Sequence, residues 1–271
     1  MDIITSHELF RMTGTFSIID ARASGFSNGH IPQSQNMNWK DFTEEKPSFF
    51  NLLFGHPERW GRVASSCVVE AQLRQLGLSH DRLIVVVGSP DGWGEEGRVA
   101  WNLLYWGAQK VALLDGGFST WKKSGYPVES GRAAKVIQGD FNLKLNHQCR
   151  AKMKDVENFL KSTAHQFFDV RTLKEFNGQK VPGQKRGGRI SGAKLIEFKS
   201  LYQKDGTYIS GFELTKLIGD GSTKIPVTYC TGGVRSALLA VLIEARLGIR
   251  AINYEASMWE WSQDPQNPME K

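Results

Sequence analysis

The sequence lacks the features that several classes of protein require. Its 271 residues contain only three cysteines, Cys67, Cys149 and Cys230, which are too widely spaced for a disulfide framework or a zinc site. No run approaches the roughly 18 consecutive apolar residues of a membrane helix, and the first residues show no secretory leader. No glycine-rich dinucleotide fingerprint precedes a helix pattern. These absences predict a cytoplasmic protein with no metal, no cofactor and no membrane contact.

Charge is unevenly distributed along an otherwise ordinary composition. Hydrophobic residues make up 40% of the chain and the formal net charge is +6. Residues 1–140 contain 14 Lys/Arg against 15 Asp/Glu, whereas residues 141–271 contain 20 against 13. The basic second half can attract small anions, an acidic protein or tRNA, or it can simply be a solvated surface. Because the basic residues are not interleaved with aromatics as in RNA readers, we do not expect a nucleic-acid partner.

Strand patterns alternate with helix patterns along the chain. Leu83–Val87 is a continuous apolar run typical of a strand buried on both faces of a parallel sheet. Helical spacing precedes it over residues 67–78 and follows it over residues 98–106. The second half repeats this order, with a strand ending at Asp169 and another ending at Cys230. This alternation predicts an α/β protein with parallel sheets flanked by helices.

The two halves share short motifs at corresponding places. Asp20-x-Arg22 corresponds to Asp169-x-Arg171, GHIPQS to GRISGA, and DGGFSTW to YEASMWEW. Such self-similarity indicates two tandem copies of one unit. We predict a first unit over residues 1–128, a polar linker over residues 129–142 and a second unit over residues 143–271.

The segment IPVTYC-TGGVR-SALLAVLIEARLG carries the clearest chemical signal. A buried strand pattern ends at Cys230, the loop Thr231, Gly232, Gly233, Val234 and Arg235 follows, and a strong helix pattern then begins. Glycines allow backbone N–H groups to surround an anion, and the helix N-terminus presents positive potential at the same point. A thiol placed there ionises readily, whereas a thiol that is only part of a core needs no such loop. Cys230 is therefore the predicted nucleophile, and Cys67 and Cys149 are predicted to be inert.

Taken together, these motifs resemble the tandem-domain rhodaneses, the thiosulfate and 3-mercaptopyruvate sulfurtransferase family. The resemblance rests on DARASGFSNGHIPQ, DGGFSTWKKSGYPV, FDVRTLKEFNG, VTYCTGGVRSA and YEASMWEWSQDPQNP, and it covers nearly the whole chain. It implies two rhodanese-like units, of which the second is active. It also implies that Cys230 takes a sulfane sulfur as a persulfide, held by the loop from Thr231 to Arg235, with no other cofactor. The first unit has no cysteine in the corresponding loop, where Glu95 and Glu96 would repel an anion.

Other site residues follow less directly from the resemblance. Arg171 is interpreted either as a residue that orients the loop or substrate, or as a structural partner of Asp169. The basic stretch from Lys180 to Arg189 offers Arg186 and Arg189 as tentative substrate contacts, or is a solvated loop. Tandem enzymes often carry a substrate-binding arginine where this chain has Glu175, so the usual substrate contacts are in question.

The loop sequence leaves the donor open. Paired glycines resemble the mercaptopyruvate-type loop CGSGVT, whereas the closing Arg235 suits a dianion, and the sequence favours thiosulfate over 3-mercaptopyruvate. The predicted acceptor is thiophilic: cyanide, a thiol or a thioredoxin-like protein. A phosphatase is disfavoured because its arginine normally comes one position later than Arg235. The remaining alternative is a partner-fed carrier that delivers persulfide sulfur to another protein or to a tRNA pathway.

Overall fold

The computed structural model describes residues 1–48, 55–219 and 224–271. The predicted alternation of strands and helices is present in it. The described α-helices are α1 (Ser6–Arg11), α2 (Pro57–Trp60), α3 (Cys67–Gln75), α4 (Glu95–Trp106), α5 (Gly117–Lys123), α6 (Met153–Leu160), α7 (Leu173–Phe176), α8 (Gly211–Ile218), α9 (Val234–Leu247) and α10 (Ser257–Trp261). The strands are β1 (Asp2–Ile4), β2 (Phe16–Asp20), β3 (Gln35–Asn36), β4 (Leu83–Val87), β5 (Lys110–Leu114), β6 (His165–Asp169), β7 (Arg189–Ile190), β8 (Lys194–Leu195), β9 (Ile225–Tyr229), β10 (Ile252–Asn253) and β11 (Met269–Glu270).

The chain divides into two compact units that exchange short segments. Unit 1 contains residues 1–39, 64–146 and 202–208, and unit 2 contains residues 40–63, 147–201 and 209–271. Residues 40–63 of the first half thus belong to unit 2, and residues 202–208 of the second half belong to unit 1. The predicted boundaries at residues 128 and 143 divide the chain by its repeated motifs and stay a prediction. The compact units, in contrast, are each built from several separate segments.

Unit 1 contains a five-stranded parallel sheet in the order β1-β5-β4-β2-β3. The central strand β4 is buried along most of its length, as its uninterrupted apolar run predicts. Glu95 and Glu96 open helix α4 and are buried. Burial raises the pKa of Glu96 to about 7, although the hydroxyls of Tyr202 and Tyr208 donate to its Oε1 atom at 2.6 and 3.2 Å. The acidic pair is therefore part of the packed interior of unit 1.

Unit 2 contains a four-stranded parallel sheet in the order β10-β9-β6-β8. Strand β9 lies between β6 and β10, and Tyr229 at its end is fully buried. A separate antiparallel pair joins β7 to β11. Helix α9 follows β9 after a short loop and is capped by Gly248, whose positive φ of 65° is readily adopted by glycine. The prediction of parallel α/β units is confirmed.

Several short elements differ from the sequence pattern. Helix α7, one turn long, lies in a stretch that the sequence predicts as loop, and helix α4 begins three residues before the predicted start at Arg98.

No helix within the described ranges is long and apolar enough to cross a membrane. In the same ranges, no cluster of three or more His, Cys, Asp or Glu side chains could hold a metal ion.

Candidate active site

Cys230 lies at the carboxyl end of the central strand β9. This is the edge of a parallel sheet where α/β proteins place their sites. The residue is 1% exposed, so its sulfur is almost entirely removed from bulk water. A short loop, Thr231–Gly233, then leads into α9. Strand, loop and helix follow one another in the predicted order, but the helix begins two residues earlier than predicted, so Val234 and Arg235 belong to its first turn and not to the loop.

The loop directs backbone donors at the sulfur. Gly233 has a φ of 78°, a left-handed conformation that glycine adopts without steric cost, and its N–H donates to Sγ of Cys230 at 3.1 Å. The N-terminus of α9 starts at the next residue and adds the positive end of its dipole. The arrangement favours a negatively charged sulfur.

Competing effects determine the pKa of the Cys230 thiol. Burial, the largest effect, would raise it. The charge of Arg235, the backbone N–H and hydroxyl of Ser236 and the N–H of Gly232 oppose burial, and the pKa lies below its usual value. By contrast, burial raises the pKa of Cys149 to about 12, so that thiol stays protonated, and Cys67 lies exposed at the start of α3.

A compact ion pair closes one side of the loop. Two guanidinium nitrogens of Arg235 donate to the two carboxylate oxygens of Glu175, each at 2.9 Å. Thr231 accepts from Arg235 at 2.7 Å and donates to Glu175 at 2.9 Å. Burial alone would raise the pKa of Glu175, but Arg235 and the capping contacts of Thr172 hold it at about 2. In the sequence, Glu175 stands out only because it replaces an arginine that is common in the family; in the structure, it anchors Arg235.

The segment that opens helix α10 holds the other side of the loop. The N–H of Cys230 donates to Oγ of Ser257 at 3.0 Å, and the N–H of Met258 donates to the carbonyl of Cys230 at 3.2 Å. The N–H of Trp259 donates to the carbonyl of Thr231 at 2.9 Å. Ser257 itself has a φ of 53°, a conformation uncommon outside glycine that marks a constrained site. Sequence reasoning did not identify this support.

The ring of Trp259 covers the loop backbone at Gly232. A Cβ atom added to Gly232 would lie 2.1 Å from the ring, well inside van der Waals contact. Trp60, from the exchanged segment 40–63, packs edge-on against Trp259 with ring centroids 5.3 Å apart. Trp259, supported by Trp60, therefore restricts the position of the loop backbone at Gly232.

Replacing Gly232 with alanine should displace either the loop or the Trp259 ring. We expect about 1–3 kcal/mol of destabilisation, the usual cost of overpacking, and at least a tenfold slower alkylation of Cys230. Thermal unfolding and iodoacetamide kinetics measure the two effects. Gly211→Ala, at a helix start where a Cβ fits with a small adjustment at 3.3 Å, is the control. Equal behaviour of both variants would show that the ring contact does not constrain the loop.

The structure places the three predicted substrate arginines outside this cluster. Arg171 is fully buried, and two of its guanidinium nitrogens donate to the carboxylate of Asp169. It also donates to the carbonyl of Gly188 at 2.7 Å. Arg189 lies 3.4 Å from Glu270 and over the Phe176 ring. These contacts fit structural roles for both residues, and their contact with substrate stays a prediction.

Arg186 is held by the C-terminal segment. Its guanidinium donates to main-chain carbonyls there, namely those of Trp261, Ser262, Asp264, Pro265 and Asn267. Arg186 thus attaches the basic stretch to the C-terminal segment through hydrogen bonds. Its neighbour Gly183 packs beside the Trp259 ring, which brings the stretch close to the loop at Gly232.

Comparison with known proteins places the chain in a family. The profile of the rhodanese-like domain matches residues 5–124 and 152–264, one match in each half of the sequence. The chain belongs to the rhodanese family, in a tandem arrangement, as the motifs predicted.

Individual relatives give the resemblance more detail. A protein of Arabidopsis thaliana named thiosulfate/3-mercaptopyruvate sulfurtransferase 1, mitochondrial, is 30% identical over 89% of this chain and 67% of its own length. The sulfur carrier protein TtuD of Thermus thermophilus is 27% identical over 87% of this chain and 83% of its own length. The crystal structure of YnjE superposes with a TM-score of 0.83 at 25% identity, covering 99% of this chain and 68% of that one.

Proposed function

We propose that the protein is a sulfurtransferase that moves a sulfane sulfur from a small anionic donor to a thiophilic acceptor through a persulfide on Cys230. The observation that carries the proposal is the Cys230 thiol at the end of β9, with the N–H of Gly233 3.1 Å from its sulfur. Its lowered pKa and the membership of the rhodanese family support the same function.

Each half of the proposed reaction passes through the Cys230 thiolate. The thiolate attacks the outer sulfur of thiosulfate, the S–S bond of the donor breaks, and sulfite leaves with the bonding electrons. The Cys230 persulfide anion remains, and N–H groups of the loop would hold its charge. Cyanide then attacks the outer sulfur, thiocyanate leaves, and the electron pair of the broken S–S bond restores the thiolate. The cycle needs no metal and no further cofactor.

Thiosulfate is proposed as the preferred donor, with 3-mercaptopyruvate next. Arg235 supports an anionic donor, because its charge lowers the pKa of the Cys230 thiol even though Glu175 is ion-paired to it. The paired glycines support 3-mercaptopyruvate, and the name of the Arabidopsis relative includes both donors. A cytoplasmic setting and a thioredoxin-like acceptor remain part of the proposal.

A side-by-side rate assay tests the proposed function. Cyanide is the acceptor, thiosulfate or 3-mercaptopyruvate is the donor, and thiocyanate is measured. We expect thiocyanate with both donors and a higher kcat/KM with thiosulfate. A higher kcat/KM with 3-mercaptopyruvate would reverse the donor assignment, and no thiocyanate with either donor would reject the small-donor transferase.

The second candidate is a carrier that receives its sulfur from a protein. The similarity to a protein named as a sulfur carrier supports it. The two candidates differ in how Cys230 is loaded. Under the carrier reading, a cysteine desulfurase with free cysteine would generate the Cys230 persulfide, whereas thiosulfate and 3-mercaptopyruvate would not.

A further inference from the structure

A buried hydroxyl contacts the Cys230 sulfur. Ser236, the third residue of α9, is fully buried, and its Oγ atom lies 3.6 Å from Sγ of Cys230, within hydrogen-bond distance for sulfur. Within the part of the chain that the structure describes, the Ser236 side chain supplies the hydroxyl that donates a hydrogen bond to this sulfur.

The same hydroxyl has a second and closer acceptor. Oγ of Ser236 lies 2.7 Å from Oδ1 of Asn253, a fully buried residue at the end of β10. The amide nitrogen of Asn253 in turn donates to the carbonyl of Gly233 at 3.4 Å. Gly233 is the residue whose N–H contacts the sulfur. Asn253 therefore braces both the Ser236 hydroxyl and the Gly233 backbone.

A serine hydroxyl has a single proton and can donate only one strong hydrogen bond at a time. Two acceptors at 3.6 and 2.7 Å thus compete for the Ser236 proton. When Cys230 is a neutral thiol, the amide oxygen of Asn253 is the better acceptor. When the sulfur is an anion, the charge-assisted bond to sulfur becomes the stronger one.

We propose that Ser236 is a catalytic residue of the proposed sulfur transfer, whose hydroxyl turns from Asn253 to the Cys230 sulfur whenever that sulfur carries negative charge. Asn253 is the positioning residue that keeps the hydroxyl oriented between turnovers. When the proton turns away, the Thr228 hydroxyl can replace it: this hydroxyl donates to the carbonyl of Ser236 at 3.0 Å and lies 3.4 Å from Oδ1 of Asn253, so it must turn to reach that oxygen.

The hydroxyl acts at two points of the proposed cycle and keeps its proton at both. In the first step it stabilises the attacking thiolate before the Cys230–sulfur bond forms. In the second step it stabilises the thiolate that leaves when the acceptor removes the outer sulfur. Since sulfur charge is lowest at Sγ in the persulfide, the hydroxyl returns to Asn253 between the steps. The inference deepens the proposed function and rests on it.

Other charged groups lie in the elements around the loop. The Arg235 guanidinium lies in α9 and is balanced by Glu175 of α7. The buried pair of Asp169 and Arg171 lies at the carboxyl end of β6. Arg235 and the Thr172 contacts hold the pKa of Glu175 at about 2, so the charge of that carboxylate stays constant while Cys230 titrates. A change in the Cys230 titration on replacing Ser236 therefore reports the hydroxyl.

The test follows alkylation of the native protein by iodoacetamide across a pH series, with Cys230 separated from Cys67 by peptide mass mapping. Ser236→Ala should raise the titration midpoint of Cys230 and slow its alkylation at neutral pH about tenfold, the worth of one charge-assisted hydrogen bond. Ser236→Thr, which keeps the hydroxyl, should restore most of the rate. Ser262→Ala removes another fully buried serine hydroxyl of unit 2 and should leave the titration unchanged.

The alkylation result is independent of the sulfur-transfer assay. An unchanged midpoint in Ser236→Ala, or an equal shift in Ser262→Ala, would overturn the role of Ser236. Thermal unfolding of Ser236→Ala checks that the variant is folded. If it is unfolded, the isosteric pair Ser236→Thr and Ser236→Val decides: only Ser236→Val should raise the midpoint, and equal midpoints in the two variants would overturn the role of the hydroxyl. If the native protein transfers no sulfur while Ser236→Ala still shifts the midpoint, the proposed function fails and the hydroxyl–sulfur contact stands.

Discussion

Cys230→Ser should abolish sulfur transfer with either donor. Serine is nearly isosteric with cysteine, and its hydroxyl is neither ionised at neutral pH nor able to form a persulfide. We expect a loss of at least about a thousandfold in kcat/KM, with thermal stability close to that of the native protein. Thiocyanate formation measures the rate, and calorimetry measures the stability.

Cys67→Ser is the matched control for this substitution. Cys67 lies exposed at the start of α3, so the same chemical change there should leave the rate of thiocyanate formation intact. Full activity in Cys230→Ser, or loss of activity in Cys67→Ser, would move the chemistry away from the β9–α9 loop.

Glu175→Ala should be the most destabilising single change near the loop. It leaves the Arg235 guanidinium buried without its carboxylate, a situation that costs about 3–5 kcal/mol in comparable buried pairs. Arg235→Ala likewise leaves the Glu175 carboxylate buried without its partner. It should also raise the pKa of the Cys230 thiol, because the positive charge that lowers this pKa is removed. The double variant should lose less than the sum of the single losses.

Cys149 provides the probe for this double-mutant cycle. It is buried in unit 2 and its thiol stays protonated, so thiol labelling of Cys149 in increasing urea reports unfolding of that unit. Glu213→Ala is the control, because Glu213 forms the same kind of capping box with Ser210 as Glu175 forms with Thr172, yet it has no buried arginine. Additive losses in the double variant, or equal losses in Glu175→Ala and Glu213→Ala, would contradict the ion-pair account.

The strand–loop–helix around Cys230 could be predicted from sequence because its signals are local. An apolar β-branched run, two glycines and a long helical pattern occupy 24 consecutive positions from Ile225 to Gly248, and the structure follows that order. The end of α9 at Gly248 has the same local origin. Nothing distant in the chain is needed to define these elements.

The supports of the loop depend on long-range packing and were not predictable in the same way. Ser257 and Trp259 lie more than 25 positions from the loop residues they contact, and Trp60 belongs to the exchanged segment 40–63. Periodicity shows which residues are buried but not which ones meet. Only Glu175 carries a local signal: Thr172-x-x-Glu175 has the pattern of a capping box, which is typical of a helix start, although the stretch was predicted to be a loop.

The central claim is that Cys230 carries the transferred sulfur, and peptide mass mapping of that sulfur tests it most directly. The protein is incubated with thiosulfate without an acceptor, freed of donor, digested under conditions that preserve persulfides and analysed by mass spectrometry. We predict that the peptide containing Cys230 gains the mass of one sulfur atom and loses it when cyanide is added, while the peptides containing Cys67 and Cys149 are unchanged. Sulfur found on Cys67 or Cys149 instead of Cys230 would contradict the account.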